Sequence, residues 1–347
     1  MKIFSCLNNA PYRPRRVLCV SKLSSLEFLR SRNPDLNEDQ ILSKLKERGG
    51  DPQEILAEHQ RQTACEQNLA AVLKKLNANF RIARRIEDAW KFINWADLVV
   101  PIGGDGAFLL ASKLITDNTK PVLGIDPSVS NGGNIFTLSA KYTMDTESIF
   151  ERLYEGRALV RLAQRKMADA LQPRQRTLPW LALNEVFIGE FMAARPITLH
   201  VGVENDAPYQ IRSSGICVCT GTGSRFWYKS INVQSAETVR SIVEIATGDK
   251  LSLEETNELL HKYHQALLYS AEDLNMIYMI REIYHTTRCT KRKCCPDRQK
   301  CSKLTVKSCG FDAGLMIDGS ISLPFNDGAI ATFDIKPEYS LRSIVFT

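Results

Sequence analysis

The sequence predicts an α/β nucleotide-binding domain followed by a second, β-rich domain. Three observations carry this expectation. From Val17 onward, apolar runs of strand length alternate with stretches of helical period. After Tyr154 the texture changes to shorter β-like runs. Between them, an unbroken apolar strand over 98–102 enters Gly103-Gly104-Asp105-Gly106 and then a helical pattern. The expected organisation is a basic tail over 1–14, the α/β domain over 15–158, the β-rich domain over 159–325 with a helical insert and a basic cysteine-containing loop, and a closing segment over 326–347 assigned to a return to the first domain.

In the first domain, 16–21 reads as a strand. Asn37 before Glu38-Asp39-Gln40 and the apolar series Ile41, Leu42, Leu45 start a helix that Gly49-Gly50 stop. Asp51-Pro52 then supplies an N-cap and first-turn proline for a second helix running toward Leu76. A strand over 80–86, a short helix over 87–94, a buried strand over 96–102, a helix over 107–115 and a strand over 121–125 follow, with a helix around 144–154. In the second domain, strands are expected at 159–162, 181–188, 197–203, 209–212 and 216–220, helices at 236–247 and 253–268, and strands again at 277–283, 313–317 and 329–334.

Composition narrows the function classes. A chain of 347 residues with 44% hydrophobic and 8% aromatic content builds a sizeable core, which excludes a disordered or fibrous protein. No stretch reaches the ~18 consecutive apolar residues of a membrane helix, so no stable membrane association is expected. The net charge of +6 is concentrated: 281–307 holds nine Lys/Arg against Glu282 and Asp297, and the remaining body is near neutral. A nucleic-acid partner is therefore not expected, and 281–307 reads as a solvated loop. Ten cysteines are too sparse for a disulfide scaffold. Cys19, Cys65, Cys217 and Cys219 lie in apolar contexts, whereas Cys289, Cys294, Cys295, Cys301 and Cys309 lack paired C-x-x-C spacing and read as free thiols on the basic loop rather than a zinc site. His200, His261, His264 and His285 form no metal or triad pattern, and His261 and His264 read as surface positions of a helix. Lys2, Arg13, Arg15, Arg16 and Lys22 precede the first acidic residue, Glu27, a bias shared with mitochondrial presequences.

Three segments carry chemistry. In Gly103-Gly104-Asp105-Gly106, glycines let the backbone approach a phosphate, the following helix adds its partial positive charge, and the carboxylate orients a hydroxyl or a Mg²⁺. A plain strand-to-helix turn would use the same glycines, and no Walker or G-x-G-x-x-G signature is present. Leu183-Asn184-Glu185-Val186 sets an amide and a carboxylate between apolar residues, on opposite faces if the segment is one strand. Thr220-Gly221-Thr222-Gly223-Ser224 follows an apolar run and offers small hydroxyls and glycines suited to phosphates or ribose hydroxyls, as an ordinary β-turn also would.

Together these three segments, in this order and approximate spacing, resemble the NAD kinase family. The likeness is closer to its mitochondrial branch, through Arg13-Pro14-Arg15-Arg16-Val17-Leu18, Ala182-Leu183-Asn184-Glu185-Val186-Phe187-Ile188-Gly189-Glu190, Ser213-Ser214-Gly215 and Phe325-Asn326-Asp327-Gly328-Ala329-Ile330. The resemblance implies an α/β nucleotide domain and a β-sandwich domain in a mitochondrial homodimer or larger oligomer, phosphorylating the adenosine-ribose 2′-hydroxyl of NAD with ATP and Mg²⁺ to give NADP. It implies Asp105 as the catalytic carboxylate, and Gly103, Gly104 and Gly106 as the phosphate-binding loop. Asn184, Glu185, Thr220, Thr222, Ser224, Trp227 and Ser230 are implied as NAD-binding. Ala107 departs from the family's usual threonine, Phe226 from a usually small residue, and Asp126 from a common asparagine. Those departures leave open a degenerate NAD(P)-binding protein, and the glycine turn alone leaves open a lipid kinase of the diacylglycerol or sphingosine type.

Overall fold

A computed structural model describes residues 11–128, 136–138, 142–143, 145–157, 159–163, 166–172, 174–284 and 296–346. The chain divides into two compact units, Met1–Leu162 with Leu341–Thr347, and Ala163–Ser340.

The first unit contains β1 (Arg16–Ser21), α1 (Ser25–Arg32), α2 (Glu38–Glu47), α3 (Pro52–Lys75), β2 (Asn79–Ala83), α4 (Ile86–Phe92), β3 (Leu98–Ile102), α5 (Asp105–Ser112), β4 (Pro121–Val122), α6 (Thr146–Tyr154) and β5 (Leu159–Ala163). β3 is buried along its whole length, and β1 from Val17 on, as strands covered on both faces must be. Asp51 caps α3 by accepting from the Gln53 N–H, with Pro52 in the first turn.

The second unit contains β6 (Lys166–Gln172), β7 (Arg174–Ala182), β8 (Glu185–Glu190), β9 (Ile197–Val203), β10 (Tyr209–Ser213), β11 (Gly215–Cys219), α7 (Trp227–Asn232), α8 (Ala236–Thr247), α9 (Leu253–Ala266), β12 (Met276–Arg281), β13 (Arg298–Cys301), β14 (Lys303–Ser308), β15 (Ala313–Ile317), β16 (Ile321–Pro324) and β17 (Ile330–Ile335). Its strands form two antiparallel sheets, in the orders β10-β9-β14-β17-β6-β7 and β13-β12-β11-β8-β15-β16. Leu199, Val201, Leu304 and Phe333 from one sheet share a buried cluster with Val186, Ile188, Val218 and Tyr278 from the other, so the two inner faces make one sandwich core.

After this sandwich the chain supplies β18 (Leu341–Val345) to the first unit. The resulting sheet has the order β2-β1-β3-β4-β18-β5, with parallel pairing from β2 through β18. Among the described residues no helix is long and apolar enough to cross a membrane.

The structure departs from the sequence reading at several elements. The strand expected over 181–188 is two strands, β7 and β8, broken at Leu183-Asn184. The strand expected over 80–86 ends at Ala83, and Ile86 begins α4. The helix expected from Ala107 begins at Asp105, because Gly104 takes the N-cap position. The basic loop is not a loop beyond Asp297: β13 and β14 pair with β12, and with β9 and β17, and bury Cys301, while Cys309 stays exposed. His285, Cys289, Cys294 and Cys295 lie outside the described residues, as do Met144 and the first ten residues of the tail. His264 is half-buried rather than on the surface, its Nε2 enclosed without a hydrogen-bond partner.

Candidate active site

In the first unit, β1 and β3 run side by side and end at Ser21 and Ile102, with their carboxyl ends together. The order β2-β1-β3 reverses direction at β1, so the crevice beyond these two strands is where an α/β sheet takes its ligand. The turn after β3 stands there. Gly103 has φ 139°, and a Cβ on it would lie 2.8 Å from the Cβ of Ala107, so only glycine fits. Gly104 then takes the N-cap position of α5 without a side chain, so no capping side chain covers the positive end of the helix. Asp105, in the first turn, is half-buried and accepts from the Phe136 N–H at 3.3 Å. The Phe136 ring stacks on Phe108 of α5 with 4.9 Å between centroids, which ties that segment to the helix carrying Asp105.

Two further residues belong to this turn. Lys22, directly after β1, is exposed, and its Cβ would stand 3.7 Å from a Cβ on Gly103. It was not singled out as a site residue from the sequence, although a lysine just after the first strand is a readable signal once the turn's neighbour strand is known. The strand end beneath it is fixed by a polar cluster: Gln62 donates to Ser21 Oγ at 2.8 Å and to the Lys22 carbonyl at 2.9 Å, Ser21 donates to the buried Glu66, and Arg84 pairs with Glu66 at 2.8 Å. Asp126 is 5% exposed, and its Oδ1 accepts from the Ser128 N–H at 2.9 Å.

In the second unit, the break between β7 and β8 meets the turn after β11. Thr220 N–H donates to the Asn184 carbonyl at 2.9 Å, and the Thr220 hydroxyl donates to the Leu183 carbonyl and accepts from the Gly223 N–H at 3.1 Å. Ser224 Oγ donates to the Gly221 carbonyl at 2.6 Å and accepts from the Tyr269 N–H at 3.3 Å. The donors of both hydroxyls are thus engaged inside the turn. The glycines are required by close approach: a Cβ on Gly221 would lie 1.8 Å from the Ser270 carbonyl oxygen, and one on Gly223 2.1 Å from that of Asn184. Two acceptors within this knot differ. Asn184 Oδ1 and Thr222 Oγ1 are enclosed, on residues 3% and 2% exposed, and have no hydrogen-bond partner.

Asp318 organises the knot and was not read from the sequence. It sits at the β15–β16 hairpin with φ 45°, followed by Gly319 at φ 63°, an Asp-Gly pair whose two left-handed residues suit a tight hairpin. Its Oδ2 accepts from Leu183 N–H, and its Oδ1 from Asn184 and Glu185 N–H. The Asp-Gly pair between two apolar runs was the available signal. Tyr269 closes the other side, donating its hydroxyl to the Cys219 carbonyl at 2.8 Å; burial pushes its pKa far above the ordinary phenol value.

Trp227 opens α7, half-buried, with its ring 4.8 Å from that of Phe187. Trp227 and Ser230 line a cavity of about 400 Å³ with Met279, Arg281 and Glu282, a size within the range of small-molecule sites. The structure therefore gathers Asn184, Glu185, Thr220, Thr222 and Ser224 at one knot, sets Trp227 and Ser230 at one cavity of the same unit, and holds Gly103, Gly104, Asp105 and Gly106 in the other unit.

An α/β unit with a phosphate-type turn and a β-sandwich unit with a polar, glycine-crossed knot are the parts of a nucleotide kinase. No family model matches the chain. It is 30% identical, over 96% of its own length and 85% of the relative's, to NAD kinase 2, mitochondrial, of Homo sapiens. Its fold is similar to that of yeast NADH kinase complexed with NADH, with TM-score 0.58 and 13% identity over 96% of this chain and 84% of that one. A similar match, TM-score 0.54 and 16% identity over 96% and 93%, is to an NAD kinase from Archaeoglobus fulgidus in complex with ATP. The chain belongs to the NAD kinase family.

Proposed function

We propose that this protein transfers the γ-phosphoryl group of ATP to the adenosine-ribose 2′-hydroxyl of NAD, giving NADP and ADP, in mitochondria. The observation that carries the reading is the likeness, along 96% of the chain, to NAD kinase 2, mitochondrial. The same likeness sets aside the lipid-kinase alternative, which rested on the glycine turn alone.

Phosphoryl transfer is mostly positioning and charge neutralisation. The positive end of α5, covered by no capping side chain, and the Lys22 ammonium supply positive character for the donor phosphates. Asp105 accepts a hydrogen bond from the 2′-hydroxyl and takes its proton as the new O–P bond forms and the bond to the ADP leaving group breaks. Asn184 Oδ1 and Thr222 Oγ1 have no internal partner, and as acceptors they suit the hydroxyl and amine donors of the NAD adenosine half. Glu185 stands beside them, while Thr220 and Ser224 hold the turn in shape, and Trp227 and Ser230 offer a wall for the rest of the dinucleotide. Mg²⁺ arriving with ATP would neutralise phosphate charge, and the carboxylates of Asp105 and Asp126 are the hard oxygen donors that would hold it. A homodimer is part of the reading, and the exposed Ile242 and Ile245 of α8 give it an apolar surface to cover.

The test is NADP formation by the purified protein with NAD, ATP and Mg²⁺, read by an NADP-specific dehydrogenase. The expected result is turnover that Asp105→Asn lowers by two orders of magnitude or more. A second reading, a degenerate NAD(P)-binding protein, is favoured by Ala107, which is buried against Gly103 and brings no hydroxyl to the turn. Absence of turnover with NAD binding retained in calorimetry would establish that second reading instead.

A further inference from the structure

Asp126 is the buried charge that the turn's own hydrogen bonds do not account for. One carboxylate oxygen, Oδ1, accepts from the Ser128 N–H. The other, Oδ2, is enclosed and has no hydrogen-bond partner. A carboxylate oxygen held out of water without a donor is costly, and such groups are normally paired or bound to a cation. This oxygen points at the phosphate turn: a Cβ on Gly104 would stand 3.8 Å from Asp126 Oδ2 and would meet no other atom within 4 Å. At Gly106, two residues on, an added Cβ would meet nothing within 4 Å. Oδ2 therefore faces the backbone of Gly104, the N-cap residue of α5, with no side chain of that residue between them.

The occupant is decided by charge. A phosphate arriving at the start of α5 brings negative charge next to an acceptor-only oxygen, so direct contact is repulsive. A divalent cation reverses this, taking the carboxylate oxygen and phosphate oxygens as ligands together, which is how Mg²⁺ is commonly held. A ribose hydroxyl would satisfy one lone pair and leave the repulsion in place. We propose that Asp126, through Oδ2, is a direct protein ligand of the divalent cation that accompanies the nucleotide triphosphate. The proposal rests on the kinase reading above. It has a consequence specific to this chain: cation and triphosphate bind cooperatively here, each relieving the charge the other would meet.

The experiment follows Mn²⁺ as the probe by electron paramagnetic resonance, titrated into the full chain with a non-hydrolysable ATP analogue and no NAD. Wild type is expected to bind Mn²⁺ at least about tenfold more tightly than Asp126→Asn, and Asp126→Glu to stay close to wild type. NAD affinity by calorimetry is expected to be unchanged in both variants. Equal Mn²⁺ affinity of wild type and Asp126→Asn, with the analogue bound by both, overturns the proposal and leaves the kinase reading intact. Failure of wild type to bind the analogue, with or without Mn²⁺, overturns both. If Asp126→Asn does not fold, Asp126→Ala takes its place beside Asp126→Glu: Mn²⁺ binding kept by Glu and lost by Ala, with NAD affinity unchanged in both, supports direct ligation, and equal Mn²⁺ affinity of the two, or loss of NAD affinity along with Mn²⁺ binding, overturns it.

Discussion

Asp318 Oδ1 accepts the backbone N–H of Asn184 at 2.9 Å across 134 residues of chain. The same carboxylate takes the N–H groups of Leu183 and Glu185, so three consecutive amides at the break between β7 and β8 converge on one side chain. Asp318→Ala leaves those amides without an acceptor. Unfolding in urea is expected to show a loss of about 3 kcal/mol, and steady-state kinetics a raised KM for NAD, since the Asn184 position is no longer held. A variant with unchanged stability would show that water replaces the carboxylate at no cost.

Asn184→Ala separates folding from binding. Asn184 Oδ1 has no partner in the free protein, so its removal breaks no internal hydrogen bond. The KM for NAD is expected to rise about tenfold, with the KM for ATP unchanged. An effect confined to ATP would place the knot at the other substrate.

Gly221 and Gly106 make a contrasting pair. A Cβ at Gly221 overlaps the Ser270 carbonyl at 1.8 Å, and nothing flexible is available to yield. Gly221→Ala is expected to cost about 3 kcal/mol or more, measured by denaturant unfolding. Gly106→Ala meets no atom and sits in a helix, so its stability is expected to stay within about 1 kcal/mol of wild type or to rise, whatever its activity.

The acid limb of stability is expected to involve Asp97. Burial raises its pKa, but the Arg16 guanidinium at 2.7 Å and the Arg15 and Arg16 N–H groups outweigh that and hold it below the ordinary aspartate value. A carboxylate lowered in the folded state contributes stability above its unfolded pKa and loses it as pH falls through the folded one. Asp97→Asn is therefore expected to lower the melting temperature at neutral pH and to converge on wild type in strong acid. A constant difference across that range would show that packing, not charge, is responsible.

Much of the fold was legible because its signals are local. β3 is a five-residue apolar run ending in glycine, and α8 has Ser235 at its N-cap and Gly248 in the left-handed C-cap, so both stand where the pattern put them. α1 was missed although Ser24 and Glu27 form a capping box, because its apolar pattern is too weak for periodicity to find it. β14 was missed because its alternation of buried Leu304 and Val306 with Lys303 and Lys307 lay inside a segment dominated by charge. The break at Asn184 was illegible for a stronger reason: the apolar residues on either side read as one strand, and what breaks it is a carboxylate far along the chain. The glycine turns of the candidate site were readable as motifs. The missing partner of Asp126 Oδ2 was not, since only the folded chain shows what surrounds a side chain.

The position of β18 bears on how the protein comes to be folded. Leu341 and Ile344 are buried in the first unit's sheet, between β4 and β5, yet they follow the entire sandwich in the chain. During synthesis, residues through Ser340 emerge while the first sheet still has a slot where β18 belongs. The sandwich has all its strands by then, so it is free to mature first, and the unit synthesised first completes last. That interval leaves two strand edges of the first sheet, those of β4 and β5, unpaired until Leu341 arrives.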